Sequence, residues 1–208
     1  REYIITDHNF RAANPEWDDC RLRIQKLNDE HNGTMYITQG FIASSTSPKT
    51  TTTLGREGSD FTAAIFANCL NAKELTIWKD VDGLRNADPK RFPDTQKIEH
   101  LSYFEAIELA FYGASIIHPN TLKPLQNKNI PLKVRSFLDT SLQPSVIDGT
   151  KEYIEYVPSF IVKEKQTLMS ITPRDYSFMN EHNRALIFNI MDELNIHSNM
   201  TQVSALVL

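Results

Sequence analysis

The chain has 208 residues, of which 40% are hydrophobic and 23% are charged, an ordinary composition for a globular protein. Its net charge of −4 leaves no basic footprint for nucleic acid. No apolar stretch approaches the roughly 20 residues that a membrane span needs, and the first residues do not resemble a signal peptide. Two isolated cysteines, Cys20 and Cys69, are expected to be buried in a reducing compartment. The length suits one domain plus part of another, or two small domains.

The first elements are predicted from capping residues and periodicity. Asn14 is expected to cap a helix whose first residue is Pro15 and which ends near Asn32 and Gly33. An apolar stretch at 35–42 predicts a strand, and the Ser/Thr-rich residues 43–50 predict a loop.

Residues 51–60 are the most informative part of the chain. They combine hydroxyl residues, two glycines, the cation Arg56 and the carboxylate Asp60, and they precede a helical pattern. A loop that enters a helix N-terminus suits an anion, because free N–H groups and the helix dipole converge there. Neither a Walker A loop nor a dinucleotide fingerprint fits the spacing. The buried face of the helix is predicted at Phe61, Ala64, Ile65 and Cys69, with Asn68 as a polar exception.

A second cluster of polar residues follows a short strand in which Leu75 and Ile77 share one side. Lys79, Asp80 and Asp88 come after this strand, around an Asp-Gly turn. Ligands of open α/β sheets bind beyond the carboxyl ends of strands, so these residues are candidates for a phosphate, ribose or magnesium site.

The rest of the chain alternates further helices and strands, which predicts an α/β fold. Ser102 and Glu105 form a capping box for a helix that reaches about Gly113, and Pro119 starts another helix. A strand is expected at 130–134, and a boundary at 139–151, where Ser, Thr, Pro and Gly are frequent. A final βαβ pattern has strands at 167–171 and 204–208 and a helix whose buried face is Ala185, Leu186, Ile190 and Leu194.

Four segments in this order resemble signatures of the aspartokinases. Thr52 to Asp60 resembles T-T-L-G-R-G-G-S-D, Trp78 to Pro89 resembles W-T/K-D-V-x-G…D-P, Ser102 to Ala106 resembles the F/Y-x-E-A helix start, and Tyr112 to Pro119 resembles F/Y-G-A-x-x-x-H-P. The match is specific as a set and extends in weaker form over nearly the whole chain.

The resemblance implies a partial three-layer α/β sandwich of the amino acid kinase type at 1–145, a linker at 146–165, and a partial ACT-type βαβ ferredoxin-like domain at 166–208. The implied reaction is ATP-dependent phosphorylation of the L-aspartate side-chain carboxylate, with Mg²⁺, in the cytoplasm. The family's lysine-bearing K-F-G-G-T-S loop is not found in this sequence. We therefore expect these 208 residues alone to be inactive, because stabilisation of the phosphoryl charge is incomplete.

Site residues carry over from the signatures position by position. Asp60 is the implied catalytic residue, Arg56 and Ser59 bind the substrate, and the nucleotide positions are Lys79, Asp80, Arg85, Lys90 and Ser115. An effector, lysine or threonine, is implied near Met179, His182, Asn183, Ser198 and Asn199, and the intact protein is expected to form a homodimer through its ACT domains. No protein metal ligand, nucleic acid or membrane partner is implied.

The chain departs from the family pattern at several of these positions. Glu57 replaces a usual glycine, so any requirement for a positive φ there is expected to be relaxed. Lys79 stands where Thr is common, Arg85 where an aromatic is common, Lys90 for Arg, and Ser115 for a frequent Lys. Lys79 is a candidate to replace the charge lost at position 115.

Two other functions stay open at this point. One is a non-catalytic amino-acid-binding module. The other is a kinase of the same fold that acts on glutamate, acetylglutamate or a nucleoside monophosphate, which the Trp78 signature and the trailing βαβ pattern disfavour.

Overall fold

A computed structural model describes residues 1–31, 33, 35–114, 117–150, 157–175 and 177–207. The chain divides into two compact units, which we call unit 1 (Arg1–Val162) and unit 2 (Lys163–Leu208). Each unit is described by itself.

Unit 1 contains all the strands found in the described residues and four of the helices. The helices are α1 (Trp17–Glu30), α2 (Gly58–Cys69), α3 (Tyr103–Tyr112) and α4 (Pro119–Gln126). The strands are β1 (Ile5–Thr6), β2 (Ile42–Ser45), β3 (Thr51–Thr53), β4 (Leu75–Lys79), β5 (Leu84–Arg85), β6 (Lys97–Ile98), β7 (His100–Ser102), β8 (Leu132–Ser136) and β9 (Ser145–Asp148).

The strands form three sheets. One has the order β1-β2-β3, with β1 parallel to β2 and β2 antiparallel to β3. Another has the order β4-β8-β9-β7, in which β4 and β8 are parallel from the pair Leu75 and Leu132 to the pair Lys79 and Ser136. The third is the antiparallel pair β5-β6. The parallel pairing brings the carboxyl ends of β4 and β8 to the same edge of the sheet, and Phe137 N–H donates to the Lys79 carbonyl there.

Helix α2 joins the two hydrophobic clusters of unit 1. One of its sides packs into the cluster of β4, β8, β9, α3 and α4, and another packs against β1, β2 and α1. The predicted face is confirmed, since all four of its residues are buried. Asn68 is buried as well, and its side-chain amide donates to the Pro124 carbonyl at 2.7 Å, which explains the polar exception.

Local signals in the middle of the chain predict the next two helices correctly. Ser102 and Glu105 form the capping box of α3, and Gly113 ends that helix in the left-handed conformation. Pro119 is the first residue of α4. The strand predicted at 130–134 lies at Leu132–Ser136, two residues later.

The predicted start of α1 is wrong by two residues. The N-cap is Glu16, without a side-chain hydrogen bond, and Asn14 instead donates its amide to Asp7 at 2.8 Å. Pro15 forms a bridge with Thr6. Asn14 and Pro15 are therefore engaged in contacts with Thr6 and Asp7, and neither starts the helix.

The strand predicted at 35–42 is also wrong. Residues 35–39 are not in a strand, and Met35 and Ile37 are 87% and 95% exposed. Strand β2 takes the first three residues of the predicted loop, 43–45, and residues 46–50 connect β2 to β3. The stretch at 35–39 lacks a neighbouring strand in the described residues, and a strand without a hydrogen-bonded partner is not stable.

The boundary predicted at 139–151 does not match the division of the structure, whereas the linker predicted at 146–165 contains it. Strand β9 lies inside the first range and overlaps the first residues of the second, and it pairs with β8 on one side and β7 on the other. The division instead falls after Val162. The polar and turn residues on either side of β9 are typical of a loop, but pairing with β7 and β8 holds this segment in the sheet.

Unit 2 contains α5 (Glu181–Glu193) and, among its described residues, no strand. The predicted strands at 167–171 and 204–208 are therefore not found, although Met179 N–H donates to the Ala205 carbonyl at 2.9 Å. The predicted buried face of the helix is wrong too. Leu186, Ile190 and Leu194 are exposed, because no described element covers that side of α5.

Both cysteines are free and buried in unit 1, as predicted from the sequence. Burial raises the pKa of the Cys20 thiol to about 11, and burial also raises the pKa of Cys69. The Cys20 Sγ accepts a hydrogen bond from Ile5 N–H and donates one to the Ile5 carbonyl. These thiols are packing groups and not nucleophiles.

Candidate active site

The loop before α2 is shaped by two residues with positive φ. Gly55 has φ +78° and Glu57 has φ +52°. The expectation that Glu57 relaxes a positive φ is therefore wrong, because the left-handed conformation persists with a non-glycine residue. Both residues are in the left-handed conformation, and the chain enters α2 directly after Glu57.

A second loop packs on the first turn of α2. A side chain at Gly40 would bring its Cβ to 2.8 Å from Ser59 Cα, so the close approach requires glycine. Phe41 has φ +74°, and its N–H donates to Thr62 Oγ1 at 2.9 Å. The start of α2 is thus held by a loop that the sequence predicted to be part of a strand.

Arg56 and Ser59 lie at this helix start and are exposed. Within the described part of the chain, no side chain pairs with the Arg56 guanidinium. Its five N–H donors are therefore available to a ligand, and the fork geometry suits a carboxylate or phosphate.

Asp60 lies near the outlet of β4. Its Oδ2 is 3.4 Å from the Lys79 Nζ, and the two side chains are 18% and 27% exposed. The first turn of α2 and the last residue of β4 are therefore adjacent, which is the juxtaposition expected if both contribute to one site. Asp80 follows β4 directly and is exposed.

Arg85, another predicted nucleotide residue, makes a network of its own. The Arg85 guanidinium donates to both carboxylate oxygens of Asp82, at 2.8 and 3.2 Å, and to the Thr95 carbonyl and hydroxyl. This network holds the hairpin of β5 and β6 together, so most of the Arg85 donors are occupied. Lys90 is exposed in the loop between these strands. Ser115 lies outside the described residues.

One contact at the site was not predicted from the sequence. Glu57 Oε2 accepts a hydrogen bond from His118 N–H at 3.0 Å. His118 is the N-cap of α4, and its Nδ1 accepts from Asn120 N–H. The substitution of Glu for the usual glycine is the only sequence signal of this contact, and the 61 residues between the partners hide it.

The predicted effector residues are described within unit 2. Met179 is buried, whereas His182, Ser198 and Asn199 are exposed, and Asn183 N–H donates to the side chain of the N-cap Asn180. Asn199 also contacts the side chains of Lys163 and Gln166.

The described residues contain neither a metal-binding cluster nor a membrane-spanning helix. No cluster of three or more His, Cys, Asp or Glu side chains suited to a metal ion is found among them. In the same described ranges, no helix is long and apolar enough to cross a membrane.

The fold and the site define an α/β protein in which charged side chains collect where parallel strands end and a helix begins. This arrangement is typical of proteins that bind anionic ligands at the edge of a sheet. Residues 3–136 match the Amino acid kinase family, and the chain belongs to that family.

Known proteins of this family resemble the chain in sequence and structure. The chloroplastic bifunctional aspartokinase/homoserine dehydrogenase 2 of Zea mays is 36% identical over 144 residues, 69% of this chain and 16% of that protein. The lysine-sensitive aspartokinase 3 of Escherichia coli K12 is 32% identical over 208 residues, 98% of this chain and 45% of that protein. The crystal structure of E. coli aspartokinase III with aspartate and ADP, in the R-state, has a TM-score of 0.82 at 30% identity and covers 100% of this chain. The chain spans less than half the length of these proteins.

Proposed function

We propose that the chain is part of an aspartate kinase, which transfers the γ-phosphoryl group of ATP to the side-chain carboxylate of L-aspartate. The observation that carries the proposal is the pairing of Asp60 with Lys79, in a helix start that directly follows Arg56. This pairing brings the first turn of α2, which follows Arg56, to the outlet of β4. The similarity to an aspartokinase structure that holds aspartate and ADP supports the same assignment.

In the reaction, a carboxylate oxygen of aspartate attacks the γ-phosphorus, and the bond from that phosphorus to the bridging oxygen of ADP breaks. The products are 4-phospho-L-aspartate and ADP. Arg56 holds a substrate carboxylate with two parallel hydrogen bonds, and Ser59 lies in the same turn of α2. Asp60 attracts the substrate ammonium group, and Lys79 balances charge between Asp60 and the nucleotide. The protein contributes positioning and charge neutralisation.

Mg²⁺ would neutralise the phosphates of the bound nucleotide. This ion takes one or two carboxylates and keeps waters and phosphate oxygens as its other ligands. Asp80, exposed at the end of β4, is the residue that would help to hold it. Lys90 is assigned to the nucleotide by resemblance only, and so is Ser115. Arg85 would bind the nucleotide only through donors that its contacts with Asp82 and Thr95 leave over.

The test uses the intact protein from the complete reading frame. Formation of acyl phosphate, trapped as the hydroxamate, should require both ATP and L-aspartate. Arg56→Ala should raise the KM for aspartate about 10- to 100-fold, the effect of losing charge-assisted hydrogen bonds to a carboxylate. Arg21→Ala, which removes a partly exposed arginine of α1 that pairs with Asp18, is the matched control and should leave the KM unchanged.

Other results would point to the alternatives. Turnover with glutamate, acetylglutamate or a nucleoside monophosphate and not with aspartate would indicate another kinase of the same fold. Amino-acid binding without turnover would indicate a non-catalytic module.

Unit 2 is proposed as part of an ACT-type regulatory domain. Its position after the kinase signatures and the similarity to a lysine-sensitive aspartokinase support lysine as the effector. The intact protein is expected to be a homodimer that binds the effector near Met179 and Asn183. Lysine should lower the rate of the intact enzyme; inhibition by threonine alone would reassign the effector. A cytoplasmic location also stays a proposal, which the two buried free thiols support.

A further inference from the structure

Glu57 connects two helix starts that are far apart in the chain. It lies between Arg56 and the first residue of α2, and its Oε2 accepts a hydrogen bond from the N–H of His118, the N-cap of α4, at 3.0 Å. One side chain therefore joins the loop that carries Arg56 to the start of α4.

The backbone of Glu57 makes this contact informative. A non-glycine residue at φ +52° has an unfavourable conformation, which persists only where the surroundings fix it. A glycine would adopt the same φ without strain, but it could not reach His118. The carboxylate also lies at the N-terminus of α4, where the helix dipole favours negative charge. The contact with His118 therefore accounts for a glutamate at this position.

We propose that Glu57 is a positioning residue, which holds the Arg56 loop against α4 and so fixes the direction of the Arg56 guanidinium. The inference rests on the proposed function of Arg56. The other contacts near this helix start do not hold Arg56 itself. The loop at Gly40 and Phe41 packs on the first turn of α2, whereas Arg56 itself makes no side-chain hydrogen bond or ion pair in the described part of the chain. The residue next to Arg56 is thus its nearest fixed point.

Three substitutions in the intact enzyme separate the hydrogen bond, the charge and the backbone. Glu57→Ala removes the acceptor and keeps the strained φ. Glu57→Gln keeps an acceptor oxygen and removes the charge. Glu57→Gly removes the acceptor and relieves the strain. Glu108→Ala, which removes an exposed carboxylate of α3, is the matched control.

The KM for aspartate should rise about tenfold in Glu57→Ala and in Glu57→Gly, a size typical of a lost charge-assisted hydrogen bond. Glu57→Gln should stay within about threefold of the wild type, because the amide oxygen can still accept from His118. The kcat should change less than the KM in all three. Glu57→Gly should unfold at a higher temperature than Glu57→Ala, so that recovery of stability without recovery of KM separates positioning from folding.

Three results would overturn the inference. The first is an unchanged KM in Glu57→Ala, and the second is a KM in Glu57→Gly that returns to the wild-type value. The third is a Glu57→Gln enzyme as impaired as Glu57→Ala, which would assign the effect to charge.

Hydrogen exchange gives a readout that does not depend on turnover. A peptide of the intact protein that contains His118 should exchange faster in Glu57→Ala than in Glu57→Gln or Glu108→Ala, and equal rates would contradict the contact itself. An inactive wild-type protein with this exchange pattern would refute the proposed function and the positioning of a substrate ligand. If the wild-type enzyme is active and the KM for aspartate is the same in all Glu57 variants, this inference alone is refuted.

Discussion

Helices α2 and α5 carry similar apolar patterns, but only α2 is buried. Eight residues of α2 are buried between two hydrophobic clusters of unit 1, whereas no residue of α5 is buried. Met179 is the single buried hydrophobic residue among those described in unit 2. Periodicity therefore identifies the side chains that share a face. Whether that face is covered depends on another element, which the pattern of the helix does not contain.

A matched pair of isoleucines tests this difference with the largest expected effect. Ile65 in α2 is fully buried, and Ile190 in α5 is 47% exposed. Ile65→Ala should lower the free energy of unfolding by about 2–5 kcal/mol, because it leaves a cavity. Ile190→Ala should change it by about 0.5 kcal/mol or less, as expected at a partly exposed position. Denaturant titration of the two variants measures both values, and similar losses would mean that α5 is covered in solution.

A pair of glycines tests how tightly the backbone of unit 1 is packed. At Gly83, with φ +139°, an added Cβ would lie 2.5 Å from Ser145 Oγ and 2.9 Å from Lys97 Cε. Gly83→Ala should therefore cost about 2–4 kcal/mol, because steric overlap adds to backbone strain. Gly33 also has a positive φ, but no atom lies within 4 Å of its added Cβ, so Gly33→Ala should cost only about 1–2 kcal/mol. Thermal unfolding of both variants gives the comparison. Equal losses would indicate that Ser145 moves away at little cost.

The hydrogen bonds of the Ser145 hydroxyl explain why a side chain at Gly83 is costly. It accepts from Leu84 N–H at 2.9 Å and donates to the Ile98 carbonyl, so it links β9 to β5 and β6. A neighbour that is part of such a network cannot shift without losing hydrogen bonds.

The features that were predicted correctly from the sequence are local. The capping box of α3, the proline start of α4 and the buried face of α2 each depend on residues within a few positions of one another. The four signature segments also placed Arg56, Asp60 and Lys79 as candidates, and the structure brings the last two within 3.4 Å. Their functional roles stay predictions.

The features that were missed depend on distant partners. Strand β2 was missed because its partners are β1 and β3, and β9 was missed because the residues around it are typical of a linker. The bond from His118 to Glu57 crosses 61 residues, and no periodicity reports it. The apolar stretch at 35–39 shows the opposite error, since a strand-like sequence without a neighbouring strand does not form one.

The two helix caps test the units with a smaller expected effect. The Ser102 hydroxyl accepts from Glu105 N–H in α3, and the Asn180 side chain accepts from Asn183 N–H in α5. Ser102→Ala should lower the free energy of unfolding of unit 1 by about 1 kcal/mol, because an N–H of a packed helix loses its partner. Asn180→Ala should instead mainly increase local hydrogen exchange at the start of α5, since that helix has no buried residue. A global loss of stability from Asn180→Ala would show that α5 unfolds together with a core.

The smallest effect is expected at low pH and belongs to unit 1. Burial alone would raise the pKa of Asp148, but hydrogen bonds from Thr150 and His100 outweigh it and hold that pKa below its ordinary value of 3.8. The His100 ring lies 2.9 Å from the carboxylate and joins β7 to β9. A carboxyl whose pKa is lower in the folded state contributes stability above its unfolded pKa, and that contribution is lost as the pH falls below about 4 toward the folded value.

Asp148→Asn removes this titration and should flatten the dependence of stability on pH below about 4, with a difference of about 1 kcal/mol or less for a partly exposed pair. The comparison is made by denaturant titration of both proteins between pH 6 and pH 3. A variant that loses stability as steeply as the wild type below pH 4 would assign the acid sensitivity to other carboxylates. If the two pH dependences differ, the ion pair of His100 and Asp148 helps to hold β7 and β9 together in the sheet of unit 1. The described residues of unit 2 form no sheet and so contain no contact between strands.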